Sequence, residues 1–125
     1  LSTHRKHKDN QQSAEDCLFC KMVTKEIPAD IVYEDADILV FKDLYPKAEV
    51  HLLMIPKQHC ASLSTLTPDE DAVVAKMMRK LPELAEELGL HDGFRTIINT
   101  GSGGGQVIFH LHIHLLGGKN LPGFE

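Results

Sequence analysis

The run His110-Leu111-His112-Ile113-His114-Leu115-Leu116 alternates histidine with apolar residues before closing on two leucines. In an extended strand successive side chains take opposite faces, so His110, His112 and His114 would share one face and Phe109, Leu111, Ile113 and Leu115 the other. One face would be core and the other would do chemistry. Imidazoles gathered on one face admit two chemical readings. Neutral imidazole is a common zinc ligand, and two same-face neighbours can share an ion. Alternatively, an imidazole Nε2 can attack phosphorus when an acceptor holds its Nδ1 hydrogen, which fixes tautomer and direction.

The residues before the histidines favour phosphorus. Asn99, Gly101 and the run Gly103-Gly104-Gly105 would set a side-chain amide and unhindered backbone N–H groups beside the rings, a suitable cradle for oxygen anions. It is not a Walker loop, because Gly105 is followed by Gln106 rather than by Lys-Ser/Thr. A second constellation is Cys17-x-x-Cys20, a spacing that suits tetrahedral zinc but needs further partners. His59 and His110 are candidates. The alternative is that both thiols pack as small hydrophobes, the reading given to Cys60.

Several elements must position these groups. Ser13 can cap a short helix carrying Leu18, Phe19 and Met22, which should end before Pro28. IVYE (31–34) and DILVFK (37–42) predict a hairpin around Asp35–Ala36, and HLLMIPK (51–57) a third strand after a turn containing Pro46. Thr67-Pro68-Asp69-Glu70 has the marks of a helix start. That helix should run to Leu88 and stop at Gly89, with Val74, Met77, Met78, Leu81, Leu84, Ala85 and Leu88 as one apolar stripe packed on a sheet. FRTIIN (94–99) and FHLHIHLL (109–116) complete five strands. Hairpins imply mainly antiparallel pairing, so the class is α+β, with one long and one short helix on one face of the sheet.

Composition sets the outer bounds. At 125 residues, with 42% hydrophobic and 25% charged, the chain has room for one core. Residues 1–13 are polar and aperiodic and read as a mobile tail, leaving a single domain over 14–125. A net charge of -5 argues against nucleic acid as a partner, which usually calls for a basic stripe. No apolar run approaches the ~20 residues that span a bilayer, and the opening LSTHRKHKDN lacks the apolar core of a secretory signal. The odd count of three cysteines points to reduced thiols or metal ligands and a cytoplasmic location.

The segment HLHIHLL (110–116) resembles the signature of the histidine triad (HIT) nucleotide-binding proteins. The similarity extends over CLFCKMVTKEIPADIVYEDADILVFKDLYPKAEVHLLMIPKQH (17–59), NTGSGGGQ (99–106) and LLGG (115–118). KEIPA and LLGG make it most similar to the Hint branch, homodimeric purine nucleoside phosphoramidases and acyl-adenylate hydrolases. The resemblance implies a HIT-like fold and purine nucleoside monophosphate derivatives as partners. It implies His112 as the nucleophile that carries a nucleotidyl group, and His114 and Asn99 on the phosphate with Gly105 and Gln106 nearby. His51 would complete the polar shell, Asp43 would bind the ribose hydroxyls, and Phe19, Phe41 and Leu44 would line the base pocket; the residues alone leave both phenylalanines open to a core role. It further implies structural zinc on Cys17, Cys20, His59 and His110, as in the related galactose-1-phosphate uridylyltransferases. The departure is Val107, where many Hint proteins carry a serine that helps the leaving group.

Competing functions are a dinucleoside polyphosphate hydrolase of another branch, against which LLGG speaks, and a nucleotide- or partner-binding protein with negligible turnover. A homodimer is expected from the resemblance, and because a sheet of this size leaves an edge and part of the Met77/Met78 helix surface to be covered.

Overall fold

A computed structural model of the chain describes residues 16–121 and 123. The expected tail over 1–13, Ser13 as a cap and the domain start at 14 lie outside the described residues. Helix α1 spans Leu18–Val23, and the residue at its N-cap is Cys17, whose Sγ accepts the Cys20 N–H at 3.2 Å. The Cys-x-x-Cys spacing therefore closes the first turn of the helix as well as pairing two thiols.

Strands β1 (Ile31–Glu34) and β2 (Ile38–Lys42) form the expected hairpin. Its turn is held by Asp35 Oδ1, which accepts the N–H groups of Asp37 and Ile38, each at 2.8 Å. β3 (Val50–Pro56), helix α2 (Asp71–Glu87), β4 (Arg95–Ile97) and β5 (Ile113–Gly117) follow. All neighbours pair antiparallel in the order β1-β2-β3-β5-β4, a five-stranded α+β sheet as the sequence predicts.

The two helices lie on opposite faces of the sheet, not on one. On one face Met77, Leu81 and Leu84 of α2 pack on Ile38, Val40, Leu52, Met54, Ile113 and Leu115. On the other, Phe19 and Met22 of α1 pack on Leu39, Phe41, Leu53 and Ile55. Ile38–Phe41 and Leu52–Ile55 are apolar without interruption, so both faces of β2 and β3 need cover.

Helix α2 is entered and left as expected. Thr67 and Glu70 form a capping box over the short turn Pro68–Glu70, and the chain leaves through Gly89 at φ +79°, with the Leu90 N–H donating to Ala85 O at 2.9 Å. The apolar stripe is narrower than expected: Met77 is fully buried within the chain, while Met78 is 44% and Leu88 38% exposed. Met77 therefore offers no surface to a partner.

β5 is shorter than the histidine run. Only His114 of the triad lies in the ladder; His110, Leu111 and His112 precede it, and the Leu111 N–H donates to Cys60 O at 2.6 Å instead. His110 and His112 are buried nonetheless, at 0% and 8% exposure. Their placement comes from tertiary contacts rather than from strand alternation.

Candidate active site and metal centre

On the α1 face, the register lays Phe41, Leu53, His114 and Ile97 side by side across β2, β3, β5 and β4. The next row begins with Asp43, whose N–H donates to His51 O at 3.0 Å, and continues from His51 to Leu116. Over these rows opens a cavity of about 550 Å³. His51, His112, His114, Asp43, Asn99, Gly105, Phe19, Phe41 and Leu44 all line it.

Hydrogen bonds fix the tautomers of three rings. His112 Nδ1 lies 2.7 Å from the His110 carbonyl, which can only accept, so Nδ1 holds the hydrogen and Nε2 keeps its lone pair. His51 has the opposite arrangement. The Lys47 main-chain N–H donates to His51 Nδ1 at 3.1 Å, which leaves the His51 hydrogen on Nε2, 2.9 Å from His114 Nδ1. His114 accepts there and holds its own hydrogen on Nε2. Two rings with centroids 5.2 Å apart thus present different faces to the cavity, a lone pair from His112 and an N–H from His114. Burial lowers the pKa of His112 and of His51, and takes that of His114 down to about 4 with the help of its histidine neighbours. The rings are neutral at neutral pH.

Asp43, His51 and His114 come close enough to share an ion, with Asp43 Oδ2 3.4 Å from His51 Nε2. That nitrogen nevertheless keeps its hydrogen while Nδ1 accepts from Lys47, so the group is a hydrogen-bonded cluster rather than a ligand set.

The glycine loop differs from the expected anion cradle. Gly104 and Gln106 donate their N–H groups to Gly101 O at 3.0 Å, and Gly105 donates to Ser102 O at 3.1 Å, so these donors are consumed within the loop. Gln106 does not line the cavity: its Nε2 donates to Ala61 O (2.8 Å) and Ile108 O (3.0 Å), and its Oε1 accepts from Gly101 N–H (2.8 Å). It braces the loop. Asn99 Nδ2 donates to Gly104 O at 2.9 Å, and a Cβ on Gly105, at φ +89°, would stand 3.0 Å from that same nitrogen. Glycine there keeps the amide in place.

Phe19 and Phe41 meet edge to face at 5.4 Å and are both buried, so they are core and cavity wall at once. Phe19 also packs edge-on against His112 at 5.2 Å. Leu44 and Val107 lie at the mouth, 77% and 84% exposed. Sequence reasoning missed Leu53 and Ile97, which period-two alternation from His51 and pairing with His114 could have found. It also missed Lys47, whose main-chain contact leaves no trace in composition or spacing.

Cys17, Cys20, His59 and His110 converge as expected, their ligand atoms all within 4.8 Å of one another. Cys17 Sγ is 3.1 Å and Cys20 Sγ 3.5 Å from His110 Nδ1, and Cys20 Sγ is 3.3 Å from His59 Nδ1. His110 Nε2 donates to Pro56 O at 2.8 Å, which turns the Nδ1 lone pair toward the sulfurs, the orientation a ligand needs. Burial and the adjacent Cys17 push the Cys20 thiol up to about 12, a penalty that a divalent cation reverses by taking thiolates. Two thiols and two imidazoles in one set, Cys17 and His110 buried and Cys20 and His59 half-buried, fit tetrahedral zinc in a structural role. None of the four lines the cavity. Cys60 packs apart, its Sγ 3.6 Å from Ser62 O.

Comparison with known proteins agrees with this geometry. Residues 16–124 match the family described as "Scavenger mRNA decapping enzyme C-term binding". Protein HitA of Neisseria gonorrhoeae is 54% identical over 103 residues, covering 82% of this chain and 96% of that protein. The crystal structure of a HIT family hydrolase from Legionella pneumophila superposes with a TM-score of 0.81 at 45% identity, covering 83% of this chain and 94% of that one. A zinc-bound histidine triad family protein from Mycobacterium smegmatis superposes at 0.73 with 35% identity, over 86% of this chain and 78% of that one. With its histidines ordered around one cavity and relatives of this closeness over most of its length, the chain belongs to the histidine triad family.

Proposed function

We propose that the chain is a nucleotide-binding hydrolase that cleaves purine nucleoside 5′-phosphoramidates or acyl-adenylates, releasing AMP or GMP through a nucleotidyl intermediate on His112. The observation that carries this is the pair of opposed tautomers, a lone pair on His112 Nε2 beside an N–H on His114 Nε2. The hydrolase name of the Legionella relative supports it.

The base enters the apolar end, against the wall that Phe19 and Phe41 form and near Leu44, and the ribose hydroxyls meet Asp43. His112 Nε2 then attacks phosphorus, and the bond to the leaving group breaks: a carboxylate departs with the electron pair as its anion, and an amine departs with a proton taken from water. The His112 Nδ1 hydrogen stays, so the positive charge that develops on the ring faces the His110 carbonyl. His114 and Asn99 hold phosphoryl oxygens. Water attacks the same phosphorus and releases one proton to solvent, the P–Nε2 bond breaks with its electron pair going to Nε2, and His112 returns as neutral imidazole. One difficult displacement becomes two. Zinc on Cys17, Cys20, His59 and His110 would supply a cross-link between α1 and the sheet.

The free thiols of Cys17, Cys20 and Cys60 favour a reducing, cytoplasmic setting. We also propose a homodimer, with Met78 and the β4 edge as surface to be covered; light scattering that reads one chain's mass at every concentration would remove it.

Turnover of a fluorogenic adenosine phosphoramidate tests the reading. The wild type should turn over, and His112→Ala should lose activity by orders of magnitude while binding AMP nearly as well. Mass analysis of quenched enzyme should place the nucleotidyl group on His112. An adduct on His110 or His114, or AMP binding with no turnover by the wild type, would overturn the mechanism.

A further inference from the structure

The proposed substrate brings a negatively charged phosphoryl group into a site with few charges to meet it. The glycine loop spends the N–H groups of Gly104, Gly105 and Gln106 on its own turns. Burial keeps His51 and His114 neutral, so they offer dipoles rather than charge. Asp43 stands at the same end with a carboxylate, and the chain as a whole carries -5. Neutral N–H donors meet an anion with charge on one side of the bond only, and a cation would add a direct attraction that a nucleoside, lacking the phosphate, does not feel.

Two lysines line the cavity. The Lys42 ammonium already has a carboxylate beside it, 3.8 Å away on Asp30, which lines the cavity with it. Lys47 is differently placed. It follows Pro46 in the turn between β2 and β3, and its own N–H is the donor to His51 Nδ1, so its Cα is pinned beside the histidines. It lines the cavity together with His51 and His114, and its positive charge disfavours protonation of both. Among the described residues no carboxylate pairs with it.

We infer that the Lys47 side chain supplies the cation that binds the 5′-phosphate, and so makes this site select nucleotides over nucleosides. The inference rests on the function proposed above. An exposed lysine acts as a flexible point charge, so its contribution is screened by salt and needs no fixed geometry. The side chain and the main chain of Lys47 then act separately: the N–H orients His51 and the ammonium meets the phosphate.

Calorimetric binding of AMP and of adenosine to the wild type, Lys47→Met and Lys47→Arg tests it. Both variants keep the main-chain N–H, and adenosine binding reports that the pocket is intact. Lys47→Met should weaken AMP about tenfold and leave adenosine unchanged, Lys47→Arg should recover most of the loss, and added salt should weaken AMP more in the wild type than in Lys47→Met. Equal AMP binding by the wild type and Lys47→Met overturns the inference and leaves the proposed function standing. A parallel loss of AMP and adenosine also overturns it, because Lys47 would then support the pocket rather than the phosphate. A wild type that binds neither ligand removes the nucleotide reading itself and this inference with it.

Discussion

At the scale of single residues, direction matters more than proximity. His51, His112 and His114 are chemically identical side chains in one cavity, yet each holds its hydrogen where a specific neighbour puts it. Replacing His51 with Leu removes the donor to His114 Nδ1 and frees that ring to reverse. Turnover should fall about ten- to a hundredfold, as is usual when an orienting partner is lost, while the adduct still forms on His112. Unchanged turnover would show that His114 keeps its direction without His51. The residue types of this arrangement were legible in the sequence, because histidine alternating with leucine and isoleucine is rarely innocent. The tautomers were not. They depend on the Lys47 N–H and on the His110 carbonyl, and main-chain groups are the same in every sequence. Gln106 was misplaced for a related reason: a buried amide can face a ligand or brace a loop, and only the partners Gly101, Ala61 and Ile108 decide.

At the scale of elements, the sequence marked each strand and helix by composition, but not the side on which the helices pack. Uninterrupted apolar runs such as Ile38–Phe41 carry the answer, since a strand with one solvated face would alternate. The triad segment was read as one strand because its period is two, whereas only Ile113–Gly117 pairs in the ladder and the preceding residues are held by Cys60 O, Pro56 O and the thiols. Along α2, apolar spacing alone made Met78 and Leu84 equivalent, but Leu84 is 1% exposed and Met78 44%. Leu84→Ala should therefore cost about 2–5 kcal/mol in urea unfolding. Met78→Ala should stay below about 1 kcal/mol in the isolated chain. Similar losses at both would mean that Met78 is covered in solution.

At the scale of the whole molecule, the two sides of the α1 face are joined at His110. Its ring belongs to the cysteine cluster and its carbonyl holds His112. Stoichiometric zinc should be found in protein purified without a histidine tag, and chelation should lower the unfolding temperature, because a closed ligand set ties metal binding to folding. Less than about a tenth of an equivalent would return both thiols to packing. Acid should also destabilise the fold. His114 has its pKa drawn down from an ordinary 6.5 to about 4, chiefly by burial. Between those values the unfolded chain takes up a proton that the folded chain refuses, so stability is full above the window and declines as pH falls through it. The unfolding temperature should be lower at pH 5 than at pH 7, and His114→Gln should reduce the difference. Equal values for the wild type would contradict the burial argument.

The chain of donors that begins at the Lys47 N–H behaves like a one-way valve. A main-chain amide gives a hydrogen and never takes one, so the sequence Lys47 to His51 to His114 has a start that cannot become an end. A relay between two imidazoles alone could run either way and would drift with conditions. Anchored on a peptide bond, this one keeps its polarity through any change of side chain at position 47 except proline, which has no such hydrogen. Position 47 can therefore lose its charge without reversing the site, because the direction comes from the backbone.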